Sequence, residues 1–199
     1  MAKLYFYYAA MNAGKSTTLL QADFNYRERG QRTMLFTAAF DDRFRTGAIT
    51  SRIGLERDAN PIEPNTDLFA TIAAAHAKEP VDCVLVDEAQ WLSRVQAFQL
   101  AAVCDELGIP VLTYGLRSDF QAKLFEGSAA LLAIADTLVE LKAICACGRK
   151  ATMNLRVDSA GHAVKEGAQI EVGGNERYIA LCRRHYAEAM DLKHGAAMA

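Results

Sequence analysis

Leu4-Tyr5-Phe6-Tyr7-Tyr8-Ala9-Ala10-Met11-Asn12-Ala13-Gly14-Lys15-Ser16-Thr17 is the stretch that decides the fold. It opens on an apolar and aromatic run, Lys3–Tyr8, which reads as a buried strand. The run passes into a short turn and then a helix-like stretch, Ser16–Arg29, stopped by Gly30. Strand, loop and helix start, in that order, are what a nucleoside triphosphate requires. Backbone N–H groups and a helix N-terminus hold the polyphosphate, Lys15 bridges the outer phosphates, and Ser16 supplies a hydroxyl to Mg²⁺. Gly14-Lys15-Ser16 matches the end of the G-x-x-x-x-G-K-S/T pattern, with Ala9 in place of the first glycine. That replacement matters only if the position needs a positive φ, which alanine tolerates poorly. An ordinary strand–helix turn with an exposed lysine is the plainer reading, and the flanking strand and helix argue against it.

Outward from this loop, Val84-Leu85-Val86-Asp87-Glu88 forms its counterpart. A carboxylate at the end of an apolar strand is the Walker-B arrangement, which holds Mg²⁺ directly or through water. Side chains alternate along a strand, so Asp87 and Glu88 are expected to point apart and divide the work. Asp87 would serve the metal. Glu88 would take a proton from a substrate hydroxyl, or from water if the protein is an ATPase. Plain capping of a following turn is the alternative. Asp41-Asp42-Arg43-Phe44-Arg45 follows the second strand; it reads equally as a phosphoryl-stabilising loop or as a solvated charged loop.

The remaining sequence sets bounds on the class. The 199 residues, half of them apolar, suffice for one domain or for one domain and a small appendage. A net charge of −2 gives no nucleic-acid footprint. No apolar run reaches membrane-spanning length. Met1-Ala2-Lys3 leads directly into strand-like sequence, so no signal peptide and a cytoplasmic location are expected.

Strand-like and helix-like segments alternate through the first 140 or so residues. Thr33–Thr37, Cys83–Val86, Val111–Tyr114 and Leu138–Leu141 read as strands. Asp67–Ala77, Arg94–Leu107 and Phe125–Ala135 read as helices, and Asp41–Arg57 as a polar loop. This rhythm predicts an α/β fold: a mostly parallel sheet with helices on both faces and ligands at the carboxyl ends of the strands. From about Ile144 the pattern shifts to short β-like pieces, Thr152–Val157 and Gln169–Val172, among glycine turns. The expected organisation is a nucleotide-binding unit over 1–142, a small β-rich unit over 143–193 and a flexible tail over 194–199.

Three of the five cysteines lie in that small unit. Cys145-Ala146-Cys147 and Cys182-Arg183-Arg184-His185 offer three thiolates and an imidazole, the donor set of a tetrahedral structural Zn²⁺. Structural zinc contributes on the order of 10–16 kcal/mol in small isolated sites, which would offset a thin core. Three unrelated thiols near a surface histidine are the alternative. Cys83 and Cys104 read as buried thiols. His76, His162 and His194 carry no partner signature and are expected to be solvated.

Taken together, Met11–Thr17, Val86-Asp87-Glu88-Ala89-Gln90, Tyr114–Phe120, the zinc pairs and Gly173-Gly174-Asn175-Glu176-Arg177-Tyr178 resemble the cellular, zinc-containing (type II) thymidine kinases, the bacterial branch above all. The resemblance runs from about Leu4 to His185. It implies a P-loop NTPase core of the RecA-like kind and a small zinc domain whose loop closes over the nucleoside. It also implies transfer of the γ-phosphate of ATP to the 5′-hydroxyl of thymidine or deoxyuridine. By resemblance, Glu88 is the general base. Ala9, Ala10, Met11, Asn12, Ala13, Gly14, Lys15, Ser16, Thr17, Asp87, Gln90, Arg43 and Asp41 form the ATP group, with Mg²⁺ at Ser16 and Asp87. Met11, Trp91, Leu116 and Phe120 match base-pocket positions, and Ile170, Glu171, Val172, Gly173 and Tyr178 match the closing loop. A homotetramer or dimer and feedback inhibition by thymidine triphosphate follow from the resemblance alone.

Three other classes compete. A P-loop ATPase or GTPase switch would consume nucleotide without an acceptor, and the usual guanine-recognition signature is not apparent. A zinc module on nucleic acid conflicts with the acidic balance. A kinase for another deoxynucleoside is the nearest rival.

Overall fold

Apolar residues occur back to back in the central strands because both faces of the sheet are covered, the usual environment of parallel strands. The structure is a computed structural model and describes residues 1–38, 47–169 and 177–192. Strand β1 (Leu4–Ala9) leads into helix α1 (Lys15–Glu28) and strand β2 (Thr33–Ala38). Strands β3 (Ala48–Thr50) and β4 (Glu56–Asp58) form an antiparallel hairpin, followed by β5 (Asn60–Ile62), α2 (Leu68–Lys78) and β6 (Cys83–Val86). Helix α3 (Arg94–Leu107), β7 (Val111–Leu116), α4 (Glu126–Ile134) and β8 (Thr137–Glu140) complete the core. The six-stranded sheet has the order β5-β2-β6-β7-β1-β8, and all its pairings are parallel.

Alternate side chains feed two cores. Leu4, Phe6, Val84, Val86 and Val111 pack with Leu68 and Ile72 of α2, Leu100 and Val103 of α3, and Leu131 of α4. Leu35, Cys83, Leu85, Leu112 and Tyr114 pack on the opposite face with Leu19 and Leu20 of α1 and Ile49 of β3. Helices therefore cover both faces, as the alternation predicts. Arg94–Leu107 forms the helix expected there; a Ser93/Gln96 capping box starts it and left-handed Gly108 ends it. Asp67 caps α2 by accepting the Ala70 N–H at 2.9 Å.

Three expectations need correction. The stretch read as a polar loop contains the β3–β4 hairpin and a half-buried Arg57. Strand β5 was not expected; it carries Pro61 and lies at the sheet edge, where a missing N–H is tolerated. His76 is not simply solvated, since its Nδ1 accepts the Val81 N–H at 3.0 Å.

After β8 the elements become short. Strands β9 (Ala143–Ile144) and β10 (Lys150–Ala151) form one antiparallel pair, and β11 (Met153–Arg156) and β12 (Tyr178–Leu181) another; helix α5 (Arg183–Ala189) follows. One small cluster joins Ala143, Cys145, Ala151 and Cys182 to Ala10, with Ala13 packed against it. A second joins Met153, Leu155 and Val157 to Tyr186 and Met190.

Candidate active site

The phosphate loop leaves β1 at Ala9, which is buried and keeps an ordinary φ. Left-handed backbone falls instead at Asn12 (φ 65°) and at Gly14 (φ 75°), which caps α1. Alanine at position 9 is therefore unstrained. The Met11 N–H donates to Asn154 Oδ1 at 2.8 Å, and Asn154 Nδ2 donates to the Ser118 carbonyl at 2.9 Å. One amide of β11 thus ties the loop to the segment after β7.

Ser16 Oγ donates to Asp87 Oδ2 at 2.7 Å, and Asp87 Oδ1 accepts the Glu88 N–H at 3.0 Å. Burial pushes the Asp87 carboxyl up to about 7; the Glu88 charge adds to this, while the Ser16 hydroxyl and Lys15 oppose it. A buried carboxylate beside a hydroxyl is a set of hard oxygen donors that fits Mg²⁺, whose charge would offset the cost of burial.

Glu88 is separated from Asp87 by a different device from the one expected. The strand ends at Val86, and Glu88 adopts left-handed backbone at φ 53° and ψ 35°. Gln90, predicted among the ATP group, instead lies behind the carboxylate. Its Nε2 donates to Glu88 Oε2, and its Oε1 accepts the Leu116 N–H at 2.9 Å. Gly115 makes room for this link, since a Cβ there would lie 2.9 Å from the Gln90 backbone nitrogen.

Glu88 borders two cavities. The first, of about 300 Å³, is lined by Met11–Thr17, Asp87, Leu116 and the hairpin residues Ala48–Ile53. The second, of about 270 Å³, is lined by Gln90, Trp91, Phe125, Ile62, Glu63, Ser93 and Gln169 among others. Trp91 and Phe125 meet edge to face at 4.9 Å and give this cavity an aromatic corner. Leu116 and Met11, predicted for the base pocket, line the phosphate-side cavity. Phe120 is 1% exposed and lies under the Arg156 guanidinium at 3.9 Å, lining neither cavity. Tyr178 begins β12, where it is half-buried. Asp41, Arg43, Ile170, Glu171, Val172 and Gly173 lie outside the described residues.

Sequence reasoning missed Phe125, Gln169 and the hairpin wall. A second aromatic five residues after Phe120 was the available signal for Phe125. Nothing in the hairpin's polar stretch marked it as a cavity wall.

The cysteine cluster forms as predicted. The donor atoms of Cys145, Cys147, Cys182 and His185 lie within 4.8 Å of one another. Cys145 Sγ is 3.3 Å from His185 Nδ1, and Cys147 Sγ is 3.9 Å from Cys182 Sγ. A tetrahedron with Zn–S bonds of about 2.3 Å has edges of about 3.8 Å, so the set fits zinc. Left-handed Gly148 tightens the turn after Cys147, and Cys182 and His185 occupy the first turn of α5. The backbone N–H groups of Cys147 and Cys182, followed by the His185 ring, lower the Cys145 thiol to about 6, which favours the thiolate that a metal binds.

The family model described as thymidine kinase matches residues 2–186. The chain belongs to the thymidine kinase family. A thymidine kinase of Novosphingobium aromaticivorans is 70% identical over 190 residues, covering 96% of this chain and 99% of that protein. Those of Zymomonas mobilis and Photobacterium profundum are 62% and 60% identical, each over 96% of this chain and 99% of their own. A solved replication initiator, DnaA bound to AMPPCP and single-stranded DNA, aligns at 20% identity over 71% of this chain and 40% of its own. The TM-score of that alignment is 0.42. As a family member, the chain is a nucleoside kinase.

Proposed function

We propose that this family member transfers the γ-phosphate of ATP to the 5′-hydroxyl of thymidine, and of deoxyuridine, giving the 5′-monophosphate and ADP. The observation that carries this reading is the placement of Glu88 on the border of both cavities. The phosphate-side cavity takes the triphosphate. The aromatic-cornered cavity takes the nucleoside, and Glu88 sits where the two substrates meet.

In this reading Glu88 accepts the 5′-hydroxyl proton as the oxygen attacks the γ-phosphorus. The bond from that phosphorus to the bridging oxygen breaks, and the electron pair leaves with ADP. Gln90 holds the carboxylate in place. Lys15 and the loop N–H groups spread the developing charge, since phosphoryl transfer depends on positioning and electrostatics more than on covalent help. Mg²⁺, held by Ser16 and Asp87, would supply further charge neutralisation. Zn²⁺ at the three thiolates and His185 would be structural, with no open position for chemistry.

The loop that carries Ile170, Glu171, Val172, Gly173 and Tyr178 would, by the family resemblance, close over the nucleoside and exclude water. Asp41 and Arg43 would serve the transferring phosphoryl group. A homotetramer or dimer, inhibition by thymidine triphosphate and a cytoplasmic location belong to the same reading. Among the described residues no helix is long and apolar enough to cross a membrane.

ATP consumption with Mg²⁺ against thymidine, deoxyuridine, deoxycytidine, deoxyadenosine and deoxyguanosine, with a no-acceptor control, tests the proposal. Turnover confined to the first two acceptors supports it. Turnover without an acceptor makes the protein an ATPase, and Glu88 would then activate water.

A further inference from the structure

The β3–β4 hairpin walls the phosphate-side cavity with Thr50, Ser51, Arg52 and Ile53. Something must hold that wall against the helix that begins at Lys15. Ile49 and Arg57 are direct partners across the antiparallel pair, so their side chains leave the same face of the hairpin. Ile49 is 1% exposed and packs into the core with Leu19 and Leu20 of α1. Arg57 Nε lies 3.2 Å from Asp23 Oδ2, also on α1.

Asp23 is fully buried, an environment a carboxylate occupies only when paired. Arg27 Nε donates to its Oδ2 at 3.0 Å, and Thr33 Oγ1 donates to its Oδ1 at 2.5 Å. The carboxylate therefore joins α1, β2 and β4. Arg27 touches it from the same helix, whereas Arg57 is the contact that reaches the hairpin.

We infer that Asp23 is a positioning residue for the nucleotide: through Arg57 it holds the Thr50–Ile53 wall in register with Lys15 and Ser16. The inference rests on ATP occupying the phosphate-side cavity. Its effect should fall on ATP affinity, because the hairpin lines that cavity and not the aromatic one. Ile49 keeps the hairpin attached when the ion pair is lost, so the wall shifts without detaching.

Steady-state kinetics of the full chain, varying each substrate at saturation of the other, tests this in Arg57→Gln and Arg27→Gln. Arg57→Gln should raise the ATP KM on the order of tenfold, the scale of coupling between neighbours in one ion network. The thymidine KM and the turnover at saturating ATP should stay at wild-type values. Arg27→Gln removes a charge from the same carboxylate without touching the hairpin, and should leave the ATP KM unchanged. Asp23→Asn should reproduce the Arg57→Gln shift; if it fails to fold, Arg57→Gln decides alone, because Arg57 is partly exposed. A wild-type ATP KM in Arg57→Gln, or an equal rise in Arg27→Gln, overturns the inference while leaving the proposed function standing. A wild-type chain that uses no ATP in the presence of thymidine overturns the function reading itself.

Discussion

The sheet core and the cysteine-bearing unit are held together by different physics. The core buries both faces of the central strands β2, β6, β7 and β1 between α1 and the helices α2, α3 and α4, and its interior side chains are almost wholly shielded from water. The smaller unit has strands of two to four residues and two thin clusters, one of which borrows Ala10 from the phosphate loop. Burial alone is a weak source of stability at that size. A metal held by Cys145, Cys147, Cys182 and His185 would replace it and concentrate stability in four side chains. The two regions meet at the phosphate loop, through Ala10 and through Asn154.

Removing one zinc ligand should separate the two regions most sharply. Cys182→Ser forfeits most of a metal-binding free energy of about 10–16 kcal/mol. Metal analysis should find less than one zinc per chain, and hydrogen exchange should show 143–192 unprotected while β1, β6 and β7 stay protected. The converse variant is Leu100→Ala, which empties a fully buried core position and should cost about 2–5 kcal/mol in global unfolding without loss of zinc. Asn154→Ala breaks the seam between the regions and leaves the Met11 N–H and the Ser118 carbonyl without this partner, a cost of about 1–3 kcal/mol. Denaturation should record that loss, and ATP binding should weaken with it. Ser93→Ala removes the α3 cap far from the metal; about 1 kcal/mol of stability should go, with zinc content unchanged.

The legible parts of the site were those built from contiguous chain or from rare chemistry. The Met11–Thr17 loop lies in one stretch between a strand and a helix, so its pattern shows directly. Three thiols and an imidazole are distinctive donors, so their meeting at one point was readable although 35 residues separate Cys147 from Cys182. Asp87 was marked by the apolar strand before it. The left-handed backbone of Glu88 was hidden, because its neighbours Asp87 and Gln90 are fixed by distant segments, Asp87 by Ser16 and Gln90 by Leu116. Beyond Glu88, Gln90 and Trp91 the second cavity was hidden as well, since Ile62, Phe125 and Gln169 come from three separated segments. The β3–β4 hairpin gave no apolar alternation to read: Glu56, Arg57 and Asp58 of β4 are all charged.

In the proposed reaction Glu88 takes the proton of a nucleoside hydroxyl where the two cavities meet. Thymidine-dependent ATP consumption by Glu88→Gln, with ATP binding measured alongside, tests it most directly. General-base catalysis is worth roughly 10²–10⁴-fold, so turnover should fall by that factor while ATP binding stays near the wild-type value. Turnover close to wild type in that variant would remove Glu88 from the role of general base.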